Sequence, residues 1–359
     1  MRVRRLWLQD FRNYAGAELA LANGLTVVVG QNGQGKTNLV EALSYLSTLE
    51  SFRGAPNDAL VRAGADRAIV RAEVRHADGR ELLIEAEIPR TGRGRVQVNR
   101  QRLGRTRDLL GTLRTSIFAP DDLVLVKGGP AERRRLLDDT LVALDARVDA
   151  LRSDLERVLR QRGALLKQAG GRLTSEIGFT LDVWDAKLTS LGERLASERE
   201  RLVDALGPVV IAAYQELASS DAPVSLAYVA PWRERGLADA LEAARLDDVR
   251  RQVSTVGPHR DELDVVLQGL PARTHASQGE QRCLALTLRL AAHRVVTERV
   301  GSAPVLLLDD VFSELDAARS ATLVRSLPKG QAVLTTAGGL PVGIEPERVL
   351  RVVDGTLVP

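Results

Sequence analysis

Along the first hundred residues, apolar side chains follow two rhythms. Residues 3–9 alternate around Leu6, Trp7 and Leu8, the period-two pattern of a half-buried strand. Residues 25–29 read Leu-Thr-Val-Val-Val, which predicts a short buried strand. Segments 68–75 and 81–88 predict two more strands, joined by Ala77-Asp78-Gly79-Arg80, whose Asp-Gly pair favours a hairpin turn. Residues 94–99 add another candidate strand. This part of the chain therefore reads as α/β with an antiparallel element.

From about residue 131 the period lengthens to that of a helix. Val148, Leu151, Leu155 and Val158 recur at spacings of three and four; Arg162 interrupts this seam and Leu165 resumes it. Gly170-Gly171 breaks the pattern, and a second seam runs through Leu181, Trp184, Leu188, Leu191 and Leu195. Two such helices around a glycine break fit an antiparallel hairpin or an ordinary bundle packed on the core. Residues 222–250 mix proline, glycine and charge without a clear period. Beyond Gly257-Pro258, the pattern predicts a strand at 263–267, a helix at 279–298, a buried strand at 304–308, a helix near 317–326, a strand at 331–336 and a short terminal strand pair.

With 359 residues the chain has room for two domains, or for one domain carrying a large insertion. Aromatic residues are only 3%, so its core must be built from Leu, Val, Ala and Ile. The formal charge of +3 is too small to argue by itself for a nucleic-acid partner. Only five of the 50 basic residues are lysine, which makes a lysine inside a motif conspicuous. Cys283 is the one cysteine, so neither an intrachain disulfide nor a cysteine-based zinc cluster can form. No apolar run is long enough for a membrane span and the basic N-terminus lacks a secretion-type apolar region; a cytoplasmic protein is expected, with no membrane partner.

Four motifs carry chemistry. Gly30-Gln31-Asn32-Gly33-Gln34-Gly35-Lys36-Thr37 matches G-x-x-x-x-G-K-[ST] between a predicted strand and a predicted helix. Its backbone N–H groups and the helix N-terminus suit phosphate oxygens, Lys36 should reach the β- and γ-phosphates, and the Thr37 hydroxyl should bind Mg²⁺. The apolar run Val305–Leu308 ends in Asp309-Asp310, a Walker B pattern in which Asp309 would hold Mg²⁺ and Asp310 would polarise the attacking water. The two motifs lie so far apart in sequence that a large insertion must separate them, where the helical stretch sits. Ser277-Gln278-Gly279-Glu280-Gln281 heads the helix before Walker B and resembles the ABC signature, in which Ser277 and Gly279 would grip the γ-phosphate bound to a partner subunit; a plain helix cap with Glu280 as capping-box residue explains the same letters. Ser313-Glu314-Leu315-Asp316 matches a D-loop, or a capped turn with Asp316 as N-cap, and both can hold together.

Taken together, these residues resemble the RecF family of SMC-type heads over essentially the whole chain. The resemblance rests on Leu8 to Tyr14 (LQDFRNY), on the P-loop extended through Asn38-Leu39 to Glu41-Ala42, on Ser51-Phe52-Arg53, Phe118 to Leu123, Gly129-Pro130, Arg133-Arg134, Leu181 to Asp185, Gly257 to Asp261 and, most tellingly, Leu307 to Asp316. It implies an α/β ABC-type P-loop ATPase head: lobe I at 1–118 and 254–359, with a mixed sheet around the P-loop helix, and a largely helical lobe II at 119–253 with a short helical hairpin, the signature at their junction. It further implies ATP and Mg²⁺ as cofactors, with Gly30 to Asn38, Ser277, Gly279 and Asp309 about the nucleotide and Lys36 and Asp310 catalytic. The implied partners are a second copy of the chain, double-stranded and gapped DNA, RecR, and RecO and RecA in the same pathway, in recombinational repair, replication restart and the SOS response.

Two features depart from ABC transporters. The strand after Walker B ends in Thr335-Thr336 where a transporter has its switch histidine, and Asp310 stands where a glutamate is usual, so slow hydrolysis is expected. Alternatives are the ATPase subunit of a membrane transporter and a non-hydrolysing ATP-binding scaffold. Candidate phosphate contacts on DNA are Arg133, Arg134 and Arg135, or the stretch Arg93, Arg95, Arg100, Arg102, Arg105 and Arg107; solvated arginine surface accounts for either equally well. The scarcity of aromatic platforms favours duplex over single strand. His259 is expected to be structural, and Cys283 to pack within the signature helix.

Overall fold

The computed structural model describes residues 1–358; Pro359, the last residue of the expected 254–359 segment, lies outside the described residues. Strands β1 (Arg2–Phe11), β2 (Tyr14–Ala20) and β3 (Leu25–Val29) lead into helix α1 (Lys36–Thr48). A short α2 (Asn57–Leu60) precedes β4 (Arg67–Arg75), β5 (Glu81–Pro89), β6 (Arg95–Val98), β7 (Gln101–Arg102) and β8 (Thr115–Phe118). Four helices follow: α3 (Val124–Lys127), α4 (Pro130–Leu144), α5 (Arg147–Gln168) and α6 (Ser175–Ala218). Next come β9 (Val224–Val229), α7 (Leu237–Arg251), β10 (Glu262–Leu267), β11 (Leu270–Pro271), α8 (Ala272–His275) and α9 (Gln278–Val300). The chain finishes with β12 (Val305–Asp309), α10 (Ala317–Ser326), β13 (Ala332–Thr336), β14 (Arg348–Val353) and β15 (Thr356–Val358).

The first compact unit comprises Met1–Asp122, Ala213–Ser220 and the chain from Cys283 on. It holds two six-stranded sheets. In one, ordered β15-β14-β3-β13-β12-β8, all neighbours run parallel except the terminal β14–β15 hairpin. Its central strands β12 and β13 are buried at every position, as a parallel sheet covered on both faces requires, hence the apolar runs Val305–Leu308 and Ala332–Leu334 that lead to their polar ends. The other sheet, β2-β1-β4-β5-β6-β7, is antiparallel, and β4 alternates inward Ala68, Val70, Ala72 and Val74 with more exposed residues between them. Helix α1 packs on both sheets and buries most of its circumference, through Leu39, Val40, Ala42, Leu43, Tyr45 and Leu46, which join Val70, Ile84, Val305 and Val333 in one core. The P-loop helix is thereby fixed by packing from two sides.

The second unit, Leu123–Ala212 with Asp221–Arg282, is mostly helical. Helices α5 and α6 run antiparallel about Gly170 and Gly171, both at positive φ, and Leu166 packs with Leu181. Val249 of α7 joins this contact, so the hairpin is also part of a bundle. Arg162, which breaks the seam in sequence, is fully buried as the centre of an ion-pair cluster: it donates to Asp185 at 2.6 Å, and to Asp248 at 2.6 Å and Ser254 at 2.8 Å.

The compact units divide the chain differently from the expected lobe boundaries. Residues 254–282, signature included, group with the helical unit, because β10 pairs along its whole length with β9. Residues 119–122 and 213–220 group with the first unit. Strands β2, β8 and β9 and helix α7 had no distinct signal. Thr115 to Phe118 is short and partly polar, and becomes a strand through its parallel pairing with β12.

Candidate nucleotide-binding site

The glycine-rich loop connects β3 to α1, the strand-loop-helix context its sequence predicts. Gly33 and Gly35 have φ of 82° and 112°, values that only glycine adopts easily, so both bends depend on residue type. Gly30 is needed for a different reason: a Cβ there would lie 2.5 Å from the Val352 carbonyl oxygen of β14. Lys36 is buried, and its ammonium donates to the carbonyls of Gly30 at 2.7 Å and Gln31 at 2.8 Å, spanning the loop. Burial holds the Lys36 ammonium below its ordinary pKa, against the pull of Asp310 and Asp309. Gln31, Asn32 and Gly33 are exposed along the loop, and Gln34, Thr37 and Asn38 are half-buried.

Asp309, the end of the expected Walker B pattern, arrives from β12. The Thr37 hydroxyl donates to Asp309 Oδ1 at 2.9 Å, so residues at the two ends of the chain meet at the mouth of the loop. Thr335, at the end of the neighbouring β13, donates to the same oxygen at 2.7 Å, and its hydroxyl accepts the Asp310 N–H at 3.0 Å. Burial pushes the Asp309 carboxyl above the usual carboxylate range, opposed by the Thr335 and Thr37 hydroxyls; the Asp310 charge adds to the rise and the Arg53 charge counters it. A hydroxyl and a buried carboxylate side by side are the hard oxygen donors that suit Mg²⁺. Asp310 sits at φ 48°, a left-handed conformation that turns the chain into the Ser313–Asp316 segment, where Ser313 donates to the Asp310 carbonyl at 2.7 Å.

A supporting ring comes from residues to which sequence reasoning gave no role. Arg12 forms a two-pronged pair with Glu41 of α1, both contacts at 2.7 Å, with Glu41 wholly buried and also bonded by Ser51. Tyr14 donates to the Gly35 carbonyl at 3.1 Å. Asn13 donates to the Gln34 carbonyl at 3.0 Å and accepts from Asn38 at 2.7 Å. The signal available in sequence was the resemblance itself: Arg12-Asn13-Tyr14, Glu41 and Ser51 all lie in the segments that carry it.

In the helical unit, Ser277 is exposed at the head of α9. Its N–H and hydroxyl both donate to Glu280 at 2.7 Å, and its Oγ accepts the Glu280 N–H at 3.3 Å, a reciprocal capping box. Gly279 is half-buried in the first turn. Asp316 likewise caps α10, accepting from the Arg319 N–H at 2.8 Å. The 257–262 segment is a structural hub. Arg199 pairs with Asp138 through two 2.8 Å bonds and donates to the Pro258 carbonyl at 2.7 Å; Asp261 accepts from Tyr228 and, at 2.7 Å, from Trp232. His259 is bonded to the Ser254 carbonyl at 3.0 Å, and Cys283 is buried.

The two arginine groups separate. Arg133 is buried on Glu262, with contacts at 2.7 and 2.8 Å, and Arg134 donates to the Asp261 carbonyl at 2.6 Å, so both are engaged internally and are poor candidates for phosphate contact. Arg135 lies 3.7 Å from Asp139. Arg93, Arg95, Arg100, Arg102 and Arg105 are all exposed around the β6–β7 hairpin at the sheet edge, and no ion pair involves them among the described residues. No described helix is long and apolar enough to cross a membrane.

Residues 2–336 match the family described as RecF/RecN/SMC N terminal domain. A DNA replication and repair protein RecF from Streptomyces avermitilis is 46% identical, over 94% of this chain and 93% of its own. Its counterpart from Cutibacterium acnes is 43% identical, over 94% and 92%. A solved structure of the recombination mediator protein RecF-ATPrS in the RecFOR pathway superposes with a TM-score of 0.91 at 30% identity, covering 99% of this chain and 97% of that one. An Smc head bound to the C-winged helix domain of ScpA shares the fold, with a TM-score of 0.60 at 18% identity, covering 99% and 96%.

Proposed function

This chain belongs to the RecF family, and from that premise we propose that it is an ATP-dependent DNA-binding protein of recombinational repair and replication restart, working in the cytoplasm as a nucleotide-driven homodimer. The observation that carries the reading is the meeting of Thr37 with Asp309 at 2.9 Å, beside a lysine already stretched across its loop. It supports a cradle in which the backbone from Gly30 to Asn38 takes the phosphates, Lys36 neutralises the β- and γ-phosphate charge, and Thr37 with Asp309 holds Mg²⁺. The ion would supply charge neutralisation on the phosphate oxygens.

Asp310, one residue beyond, would orient the attacking water. The strand ends in Thr335-Thr336, where transporters carry a histidine, and the Thr335 hydroxyl is already committed to Asp309 and to the Asp310 N–H. With no proton-transfer group at that strand end, turnover should be slow, a weak DNA-stimulated ATPase used as a switch. Ser277 and Gly279, at an exposed and capped helix N-terminus, would close on the γ-phosphate held by a second copy. ATP then joins two heads around duplex DNA near gaps or single-strand/double-strand junctions, and hydrolysis releases them. RecR, with RecO, would act beside it in loading RecA. The arginines of the β6–β7 edge are the proposed phosphate-contacting surface.

Sedimentation with and without ATP, comparing wild type with Ser277→Arg, tests the clamp. ATP should produce dimers of the wild type only. Dimerisation indifferent to nucleotide, or unimpaired in the variant, overturns it. Single-turnover ATP cleavage abolished by Lys36→Met establishes the enzyme; no Lys36-dependent cleavage, with or without DNA, would leave a binding scaffold.

A further inference from the structure

Two elements from opposite ends of the chain converge on one peptide group of the glycine-rich loop. The Gln34 carbonyl accepts from Asn13 Nδ2 at 3.0 Å and from the Gly355 N–H at 3.0 Å, and the Gln34 side-chain carbonyl accepts from the Asp354 N–H. Asp354 and Gly355 form the turn of the β14–β15 hairpin, with φ of 44° and 69°. Asn38 donates to Asn13 Oδ1 at 2.7 Å, which orients the Asn13 amide so that its nitrogen faces Gln34. The fit is close on both sides. A Cβ on Gly35 would lie 2.7 Å from the Asn13 amide, and one on Gly355 would overlap the Asn13 carbonyl oxygen.

A peptide group is planar and trans, so its C=O and N–H point in opposite directions. Holding the Gln34 carbonyl outward with two donors therefore turns the Gly35 N–H the other way, into the loop. Without them this peptide could rotate at little cost, since glycine tolerates both signs of φ. Rotated, it would aim a carbonyl oxygen where a phosphate must sit. We infer that Asn13 and the Asp354–Gly355 turn are positioning residues of the phosphate cradle, pre-orienting the Gly35 N–H toward the nucleotide's phosphates. The inference rests on the reading of Gly30–Thr37 as that cradle.

The test measures binding of a fluorescent ADP analogue by full-length wild type, Asn13→Asp, Asn13→Ala, Gly355→Ala and Lys36→Met. Asn13→Asp keeps the shape and the acceptor for Asn38 but loses the donor toward Gln34, and should weaken ADP binding roughly ten-fold. Its deficit relative to wild type should narrow from about pH 7.5 to about pH 4.5, close to the ordinary Asp range of about 3.9, because a carboxyl facing a carbonyl oxygen regains a donor when protonated, whereas the Asn13→Ala deficit should not change with pH. Gly355→Ala should weaken binding in the same direction, and combining it with Asn13→Ala should cost less than the two separate effects together, since both act through one peptide group. Thermal melting of each variant at both pH values separates the two causes, because general loss of structure would lower the melting temperature in step with the affinity, whereas a misoriented loop peptide would weaken binding at an unchanged melting temperature. Wild-type affinity in Asn13→Asp, or a deficit identical in Asp and Ala variants at every pH, overturns the inference. Absence of ADP binding by the wild type, or binding indifferent to Lys36→Met, instead overturns the cradle reading beneath it.

Discussion

Replacing Arg162 with alanine should unfold the helical unit at much lower denaturant. The side chain has no exposure and connects α5 to α6 through Asp185, to α7 through Asp248, and to the following loop through Ser254. Truncation would strand Asp248, itself fully buried, without the cation; Asp185 would keep Arg245 at 3.0 Å, and Asp248 would keep the neutral donors of Thr255. Breaking one side of a buried pair typically costs about 3–5 kcal/mol, mostly the penalty of an uncompensated charge. The surviving donors place this case at the lower end, about 3 kcal/mol, still a large share of the roughly 5–15 kcal/mol that holds a domain together. Urea unfolding followed by tryptophan emission is a suitable assay, because Trp184 and Trp232 both lie in the helical unit and only Trp7 lies elsewhere. Arg162→Met combined with Asp248→Asn should recover part of the loss, since removing both charges leaves no stranded ion. A cost below about 1 kcal/mol for Arg162→Ala would refute the reasoning, and would mean that water or side-chain rearrangement compensates the carboxylates.

Three further outcomes are expected. Thr335→Val removes the 2.7 Å donor to Asp309 and the side-chain acceptor for the Asp310 N–H, so single-turnover ATP cleavage should fall at least about ten-fold while nucleotide affinity changes less; equal losses in both would show that Thr335 serves binding alone. Burial pushes the His259 and His293 imidazoles down to about 4, so between there and the unfolded value near 6.5 the unfolded chain takes up protons that the folded chain does not. Their contribution is complete above about pH 6.5 and is lost as pH falls toward 4, by up to about 3 kcal/mol each; thermal melting across that range should weaken less in His293→Gln than in wild type, and parallel curves would contradict the assignment. Charge reversal at Arg100 and Arg102 should lower duplex affinity and flatten its dependence on log salt by about 1 for every phosphate no longer neutralised. Arg133→Ala should instead lower the melting temperature and leave that slope unchanged, and the opposite pattern would exchange the roles of the two arginine groups.

Local chemistry made much of this molecule legible in its sequence. A glycine-rich loop between an apolar strand and a helix has few physical meanings, so the strand-loop-helix context of Gly30–Thr37 is legible in the sequence, and so is the strand ending in Asp309. The heptad-like seams and the Gly170-Gly171 break specified α5, α6 and their turn, because helical periodicity is written in neighbouring residues. What waited for tertiary structure involves partners distant in sequence. Strand β8 exists through β12, and β9 through β10, whose pairing groups 254–282 with the helices. Arg133 and Arg100 are indistinguishable as letters, yet one is buried on Glu262 and the other is exposed at a turn, since burial and pairing are properties of what the fold brings near. The same holds at the site: no local pattern could reveal that Asn13 and Gly355 close on a single carbonyl of Gln34, because that arrangement forms only when sheet topology sets β14 beside β3 and the β1–β2 turn beside both.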